Sequence, residues 1–188
     1  MRATVKPSPR LPGFAARDKN LARMIRVDHA GEYGAVQIYR GQLAVLGHTA
    51  SADTIRHMER QEQEHLETFD RLIAENNVRP TALAPVWSVA GYALGAVTAL
   101  MGEKAAMACT AAVEEVIDEH YASQAAALDA DGEANAGFKA TIEKFRADEI
   151  AHRDTALEHG AEDAPGYRVL SETIKAGCRL AIRLSERF

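Results

Sequence analysis

The chain is poor in rings and in thiols. Aromatic residues make up 6% of its 188 positions, and it has two cysteines, Cys109 and Cys178. Strands are rich in aromatic and β-branched residues, so few rings beside abundant alanine favour closely packed helices over a sheet. The cysteines lie far apart and form no C-x-x-C, which excludes a disulfide framework, a zinc ribbon and a rubredoxin-type iron site. Both are expected as small buried residues. No Gly-rich phosphate-binding loop occurs, so a reductant, if one is needed, comes from outside and its identity is unknown. Acid is missing from residues 1–17, where Arg2, Lys6, Arg10 and Arg17 stand among Pro7, Pro9 and Pro12. The prolines spoil an amphipathic transit helix, and the segment lacks the apolar run of a secretory signal. Residues 1–17 are expected to form a flexible basic arm ahead of a single domain, 18–188. The net charge of −5 argues against nucleic acid as a partner.

What is present is helical periodicity. A first long helix is expected from Asp18 to Gly47, with the apolar stripe Leu21, Ile25, Val36, Tyr39, Leu43 and Leu46. A second, from Ser51 to Asn76, carries Ile55, Met58, Phe69, Leu72 and Ile73. A third, Glu103 to Leu128, carries Met107, Ala111, Tyr121, Ala125 and Leu128, and ends at the turn Asp129-Ala130-Asp131-Gly132. A fourth, Gly137 to His159, shows Phe138, Ile142, Phe145 and Ala156. A last helix from Tyr167 to Arg187 shows Val169, Leu170, Ile174, Cys178, Ile182 and Leu184.

Ionisable side chains interrupt four of these stripes. Glu62 and His65 stand three apart, as do Glu149 and His152, so each pair projects from one helix face a single turn apart. Each pair follows an earlier glutamate on a core face, Glu32 before the first and Glu114 before the second, by intervals of 30 and 35 residues. Similar intervals are expected of two helical hairpins of similar length. A lone carboxylate on a core face costs several kcal/mol, on the order of the desolvation penalty of a buried ion, unless its charge is compensated. Two divalent cations would neutralise four glutamates. Two copies of Glu followed by Glu-x-x-His are the ligand set of a dinuclear site in a ferritin-like four-helix bundle. Oxygen ligands with one imidazole per metal suit iron or manganese better than zinc or copper. The expected ligands are Glu32, Glu62, His65, Glu114, Glu149 and His152, with Glu114 preferred to Glu115 because it shares the line of Met107, Tyr121 and Leu128.

Other residues are candidates for the surroundings. His29 stands three before Glu32 and could be a ligand or support one, although a surface or capping role is favoured. Asp28 or Asp148 could orient a ligand histidine by accepting its free N–H. His120 and Tyr121 adjoin the inner face and could relay protons or electrons, or Tyr121 could be plain core. His48, His57 and His159 are expected to be structural or exposed.

Between the two hairpins, Thr81 to Gly102 contains no charged side chain. That is long enough to span a bilayer, but a span would place Glu62 and Glu114 on opposite sides and no single site could form. The segment instead fits the long crossover between bundle halves. A helix lying in the membrane interface, with Trp87 and Tyr92 near the headgroups, is expected. An ordinary buried crossover, or a homo-oligomer contact through Gly91-Tyr92-Ala93-Leu94-Gly95, is the alternative.

Three phrases carry a resemblance: Arg26-Val27-Asp28-His29-Ala30-Gly31-Glu32-Tyr33-Gly34-Ala35, Met107-Ala108-Cys109-Thr110-Ala111-Ala112-Val113-Glu114-Glu115, and Ala176-Gly177-Cys178-Arg179-Leu180-Ala181-Ile182 with Leu184-Ser185-Glu186-Arg187. From Leu21 onward the chain resembles the demethoxyubiquinone hydroxylases of ubiquinone biosynthesis. The resemblance implies ligands at the six positions chosen above, two iron ions, and O2-dependent hydroxylation of a polyprenyl demethoxy-quinol ring. It also implies peripheral attachment to a membrane surface, and Trp87, Tyr92 and Leu94 are then candidates for substrate access from lipid. Other ubiquinone-biosynthesis proteins are possible partners. The short basic arm and high alanine content suggest the cytoplasmic face of a bacterial inner membrane, the matrix face of the mitochondrial inner membrane being the alternative. The rivals are a rubrerythrin-like peroxidase, a manganese catalase and a ferritin-like iron store. The lack of a cysteine-based iron site weighs against the first.

Overall fold

The computed structural model describes residues 14–130 and 135–188. Six α-helices are described: α1 (Phe14–Leu46), α2 (Ala52–Glu75), α3 (Ala84–Leu100), α4 (Glu103–Ala130), α5 (Ala136–Glu158) and α6 (Tyr167–Ser185), with a short 3-10 turn at Ala161–Asp163. No strand occurs among the described residues. The arrangement is an all-α, ferritin-like bundle in which the hairpins α1–α2 and α4–α5 make the four-helix core. Helix α1 starts at Phe14, ahead of the expected Asp18. Residues 1–13 and the centre of the α4–α5 turn, 131–134, lie outside the described residues.

Cross-helix contacts fix the directions. Tyr39 meets Met58 and His29 meets Asp70, so α2 runs antiparallel to α1. Gln42 donates to the Ala106 carbonyl and to Thr110, and Gln124 donates to Asp28, so α4 is also antiparallel to α1. Between them α3 returns the chain, running parallel to α1. Glycines permit that return. A Cβ on Gly95 would collide with the Ile38 backbone carbonyl, and one on Gly91 would stand 2.8 Å from the Gly34 carbonyl oxygen. At Gly102 the backbone takes φ +116°, a conformation open to glycine, and reverses directly into α4. Helix α6 lies along α4, held at its edge by Lys175–Glu115 and Arg179–Glu119 ion pairs of 2.8 and 3.0 Å.

The expected stripes are mostly buried, with one clear exception. Val169 is 75% exposed, because α6 packs on α4 through Ile174 and the Leu170 side and leaves Val169 outward. The crossover helix is also shorter than its uncharged stretch. Thr81 is buried before the helix begins, and its hydroxyl accepts from the Leu83 N–H. No helix among the described residues is long and apolar enough to cross a membrane.

Candidate metal centre

All six expected ligands are buried in the middle of the bundle, one on α1, two on α2, one on α4 and two on α5. Their donor atoms form two overlapping groups. Glu32, Glu62, His65 and Glu149 converge in one, and Glu62, Glu114, Glu149 and His152 in the other. Glu62 and Glu149 belong to both, as bridging carboxylates would. Each histidine turns Nδ1 inward: His65 Nδ1 lies 3.2 Å from Glu149 and 3.5 Å from Glu32, and His152 Nδ1 lies 3.0 Å from Glu62. Those approaches lack hydrogen-bond geometry. Both oxygens of Glu62 and of Glu149, one of Glu114, and both Nδ1 atoms are buried without a hydrogen-bond partner. Buried polar atoms are normally paired. Here seven orphaned donor atoms converge on one another, and they are hard oxygens and imidazole nitrogens. The set fits a pair of divalent cations of the iron or manganese kind.

Electrostatics agree. Burial and the mutual repulsion of the carboxylates push Glu62 and Glu114 well above the usual carboxylate range, and burial raises Glu149 as well. Burial also acts to raise Glu32, but its contact with His65 outweighs this and holds it low. Burial opposes a charged His65, yet Glu149 and Glu32 outweigh it and push the imidazole up to about 11. Without a cation the cluster therefore holds protons that a metal would displace.

The surroundings correct several expectations. Asp148 does accept from one of the expected ligand histidines, His65 Nε2, at 3.1 Å. Asp28 does not: it takes His120 Nε2 at 3.0 Å and the Gln124 amide at 2.7 Å, because its place on α1 faces α4 and neither ligand histidine. His29 is buried, not at the surface, and bonds Asp70 on α2 at 3.0 Å, pointing away from the cluster. Tyr121 donates its hydroxyl to Glu32 and so is part of the site and not only core. Glu114, and not Glu115, stands on the inner face, since Glu115 is taken by Lys175. His48, His57 and His159 are exposed.

Two participants gave no sequence signal of their own. Tyr39 donates to Glu114 at 2.6 Å, and Gln61 accepts from His152 Nε2 at 3.1 Å. Gln61 stands just before Glu62 and four before His65, on the flank of the motif, which is where a supporting acceptor could have been sought.

Next to the site, α1, α3, α4 and α6 line a half-open apolar cavity of about 330 Å³. Gly31 and Val113, the neighbours of Glu32 and Glu114, belong to its wall, with Gly34, Leu94, Cys178 and Trp87. Trp87 is thus turned inward, and its indole N–H donates to Ser185 at 3.0 Å, contrary to a place among headgroups. Tyr92 is 45% exposed and faces out. Cys109 is buried as expected, whereas Cys178 is half-buried in this wall, where desolvation pushes its thiol up to about 11.

Comparison with known proteins decides the family. The family model described as "Ubiquinone biosynthesis protein COQ7" matches residues 19–185. The chain belongs to the COQ7 family. Among curated COQ7 relatives, a 3-demethoxyubiquinol 3-hydroxylase of Rhodospirillum rubrum is 55% identical over 95% of this chain and 83% of its own length. The NADPH-dependent 3-demethoxyubiquinone 3-hydroxylase, mitochondrial, of Homo sapiens is 54% identical over 88% and 76%. The 5-demethoxyubiquinone hydroxylase, mitochondrial, of Saccharomyces cerevisiae is 43% identical over 89% and 78%. The resemblance seen in the sequence is therefore borne out along nearly the whole chain.

Proposed function

We propose that this hydroxylase of ubiquinone biosynthesis acts on a demethoxyubiquinol ring through a carboxylate-bridged di-iron centre at Glu32, Glu62, His65, Glu114, Glu149 and His152. The observation that carries the metal centre is the convergence of buried, unpartnered carboxylate and imidazole atoms with no other group to satisfy them. When bound, the iron pair supplies the redox chemistry that activates O2. In net terms a ring C–H becomes C–OH, O2 gives one atom to the ring and one to water, and two electrons and two protons enter from outside. The donor named for the human relative, NADPH, is the first to test with this chain.

The chain's own residues supply the rest. Glu62 and Glu149, common to both groups of donor atoms, would be the residues shared between the two ions, and Glu32 and Glu114 are held by the Tyr121 and Tyr39 hydroxyls. The cavity, lined by Trp87 and by Gly31 and Val113 next to Glu32 and Glu114, offers an apolar seat near the expected ligand carboxylates. A volume of about 330 Å³ lies at the low end of the range of small-molecule sites. It suits a quinol head and the start of a tail, with the remaining isoprenoid outside. Val89, Val97 and Leu100 of α3 are 71, 56 and 74% exposed, with Tyr92 beside them. This face supports peripheral attachment to a membrane from which the tail need never enter water.

Lipid analysis of a host lacking this gene tests the reading. Demethoxyubiquinone should accumulate, and be cleared by the wild type but not by Glu149→Ala. Normal ubiquinone in that host would overturn the assignment.

A further inference from the structure

The centre is close to symmetric. Two carboxylates are shared between its halves, each remaining glutamate accepts a tyrosine hydroxyl, and each histidine presents Nδ1 inward and Nε2 outward. The symmetry ends at the outward contacts. His65 donates Nε2–H to the carboxylate of Asp148, whereas His152 donates to the neutral amide oxygen of Gln61, both at 3.1 Å. A hydrogen bond to a carboxylate is about twice as strong as one between neutral groups. A ligand histidine whose far nitrogen is so held becomes a stronger donor. The rings are also held differently. Phe145 stacks on His65 with centroids 3.9 Å apart, while His152 meets Tyr39 only edge-on at 6.3 Å.

Resting on the di-metal reading above, we propose that the two metal positions are inequivalent, and that Asp148 makes the position bounded by Glu32 and His65 the tighter one. It fills first and empties last. Asp148 and Gln61 are positioning residues here, since each acts through a histidine.

The test is anaerobic titration of the full chain with Co(II), followed by the visible spectrum of the bound ion. The wild type should bind two ions in two resolved steps, the first lost in His65→Ala and the second in His152→Ala. Asp148→Asn keeps an acceptor but removes the charge, and should weaken the first step about tenfold or more while leaving the second in place. Asp148→Glu should restore much of the loss. Gln61→Glu, which leaves Asp148 untouched, should tighten the second step and bring the two together. Equal weakening of both steps by Asp148→Asn, or two wild-type steps that neither variant moves, would overturn the inference while leaving the di-metal site standing. Failure of the wild type to bind a second ion would instead bring down the reading on which it rests.

Discussion

Replacing Glu62 by glutamine should make the metal-free protein more stable and the metal-loaded protein less so. Glu62 is fully buried and neither of its oxygens has a hydrogen-bond partner. Burial first, then Glu149, Glu114 and Glu32, push its carboxyl well above the ordinary range. The folded apo-protein therefore holds a proton that the unfolded chain has lost at neutral pH. Stability rises with pH only where the unfolded state binds more protons. Here the folded state binds more, so this contribution is complete below the ordinary carboxylate range and is lost as pH climbs toward the raised value. Glutamine cannot ionise and escapes that loss. The gain is that pH-linked loss, about 1.4 kcal/mol for each pH unit over which the folded state keeps a proton that the unfolded chain has released, and each kcal/mol is worth roughly 2–4 °C in melting temperature for a chain of this size. Calorimetry in chelator should show this gain at pH 8 and show it shrinking toward pH 5. Adding Fe(II) should reverse the order. The wild type gains about 4 kcal/mol at a thousandfold excess over the dissociation constant, and the amide variant far less. A metal-free Glu62→Gln variant that melts below wild type at pH 8, or that gains as much from iron, would refute the reasoning.

Other outcomes follow from the same structure. Fe(II) binding should release protons and tighten as pH rises, since the cation displaces protons held on Glu62, Glu114, Glu149 and His65; calorimetry in buffers of different ionisation enthalpy measures this. Gly95→Val should destabilise by about 1–3 kcal/mol, because its side chain meets the Ile38 backbone, which cannot yield as a side chain would. Gly177→Ala on α6 meets nothing within 4 Å and should gain about 0.5–1 kcal/mol, both read from urea melts. Val89→Glu with Leu100→Glu should cut vesicle binding on the order of 100-fold or more, at roughly 1.5–3 kcal/mol per apolar side chain, and leave iron content unchanged. Undiminished flotation with vesicles would remove α3 as the membrane face.

The convergence of the six expected ligands was legible because it is written in short-range periodicity. Glu-x-x-His needs only one helical turn, and an ionisable pair on an otherwise apolar face announces its own cost. Tyr39 was hidden because a tyrosine in an apolar stripe looks like any core residue, and its partner Glu114 lies 75 positions away. Asp28 and His29 were misplaced for a related reason. Their partners, His120 and Asp70, sit on other helices, and nothing on α1 itself distinguishes a turn toward α4 from a turn toward the ligands. The crossover posed a different problem. A helix apolar all round has no polar face to set its phase, so Trp87 was assigned to lipid. The phase was nonetheless present in the glycines. Trp87, Gly91 and Gly95 follow one another at intervals of four, and the backbone contacts of Gly91 and Gly95 turn that whole line toward α1.

The di-iron centre is tested most directly by the iron content and Mössbauer spectrum of the 57Fe-loaded protein. Two iron ions per chain are expected, as a spin-coupled pair in the oxidised state that is lost in Glu149→Ala. One isolated iron per chain, or a coupled pair that survives Glu149→Ala, would contradict the assignment.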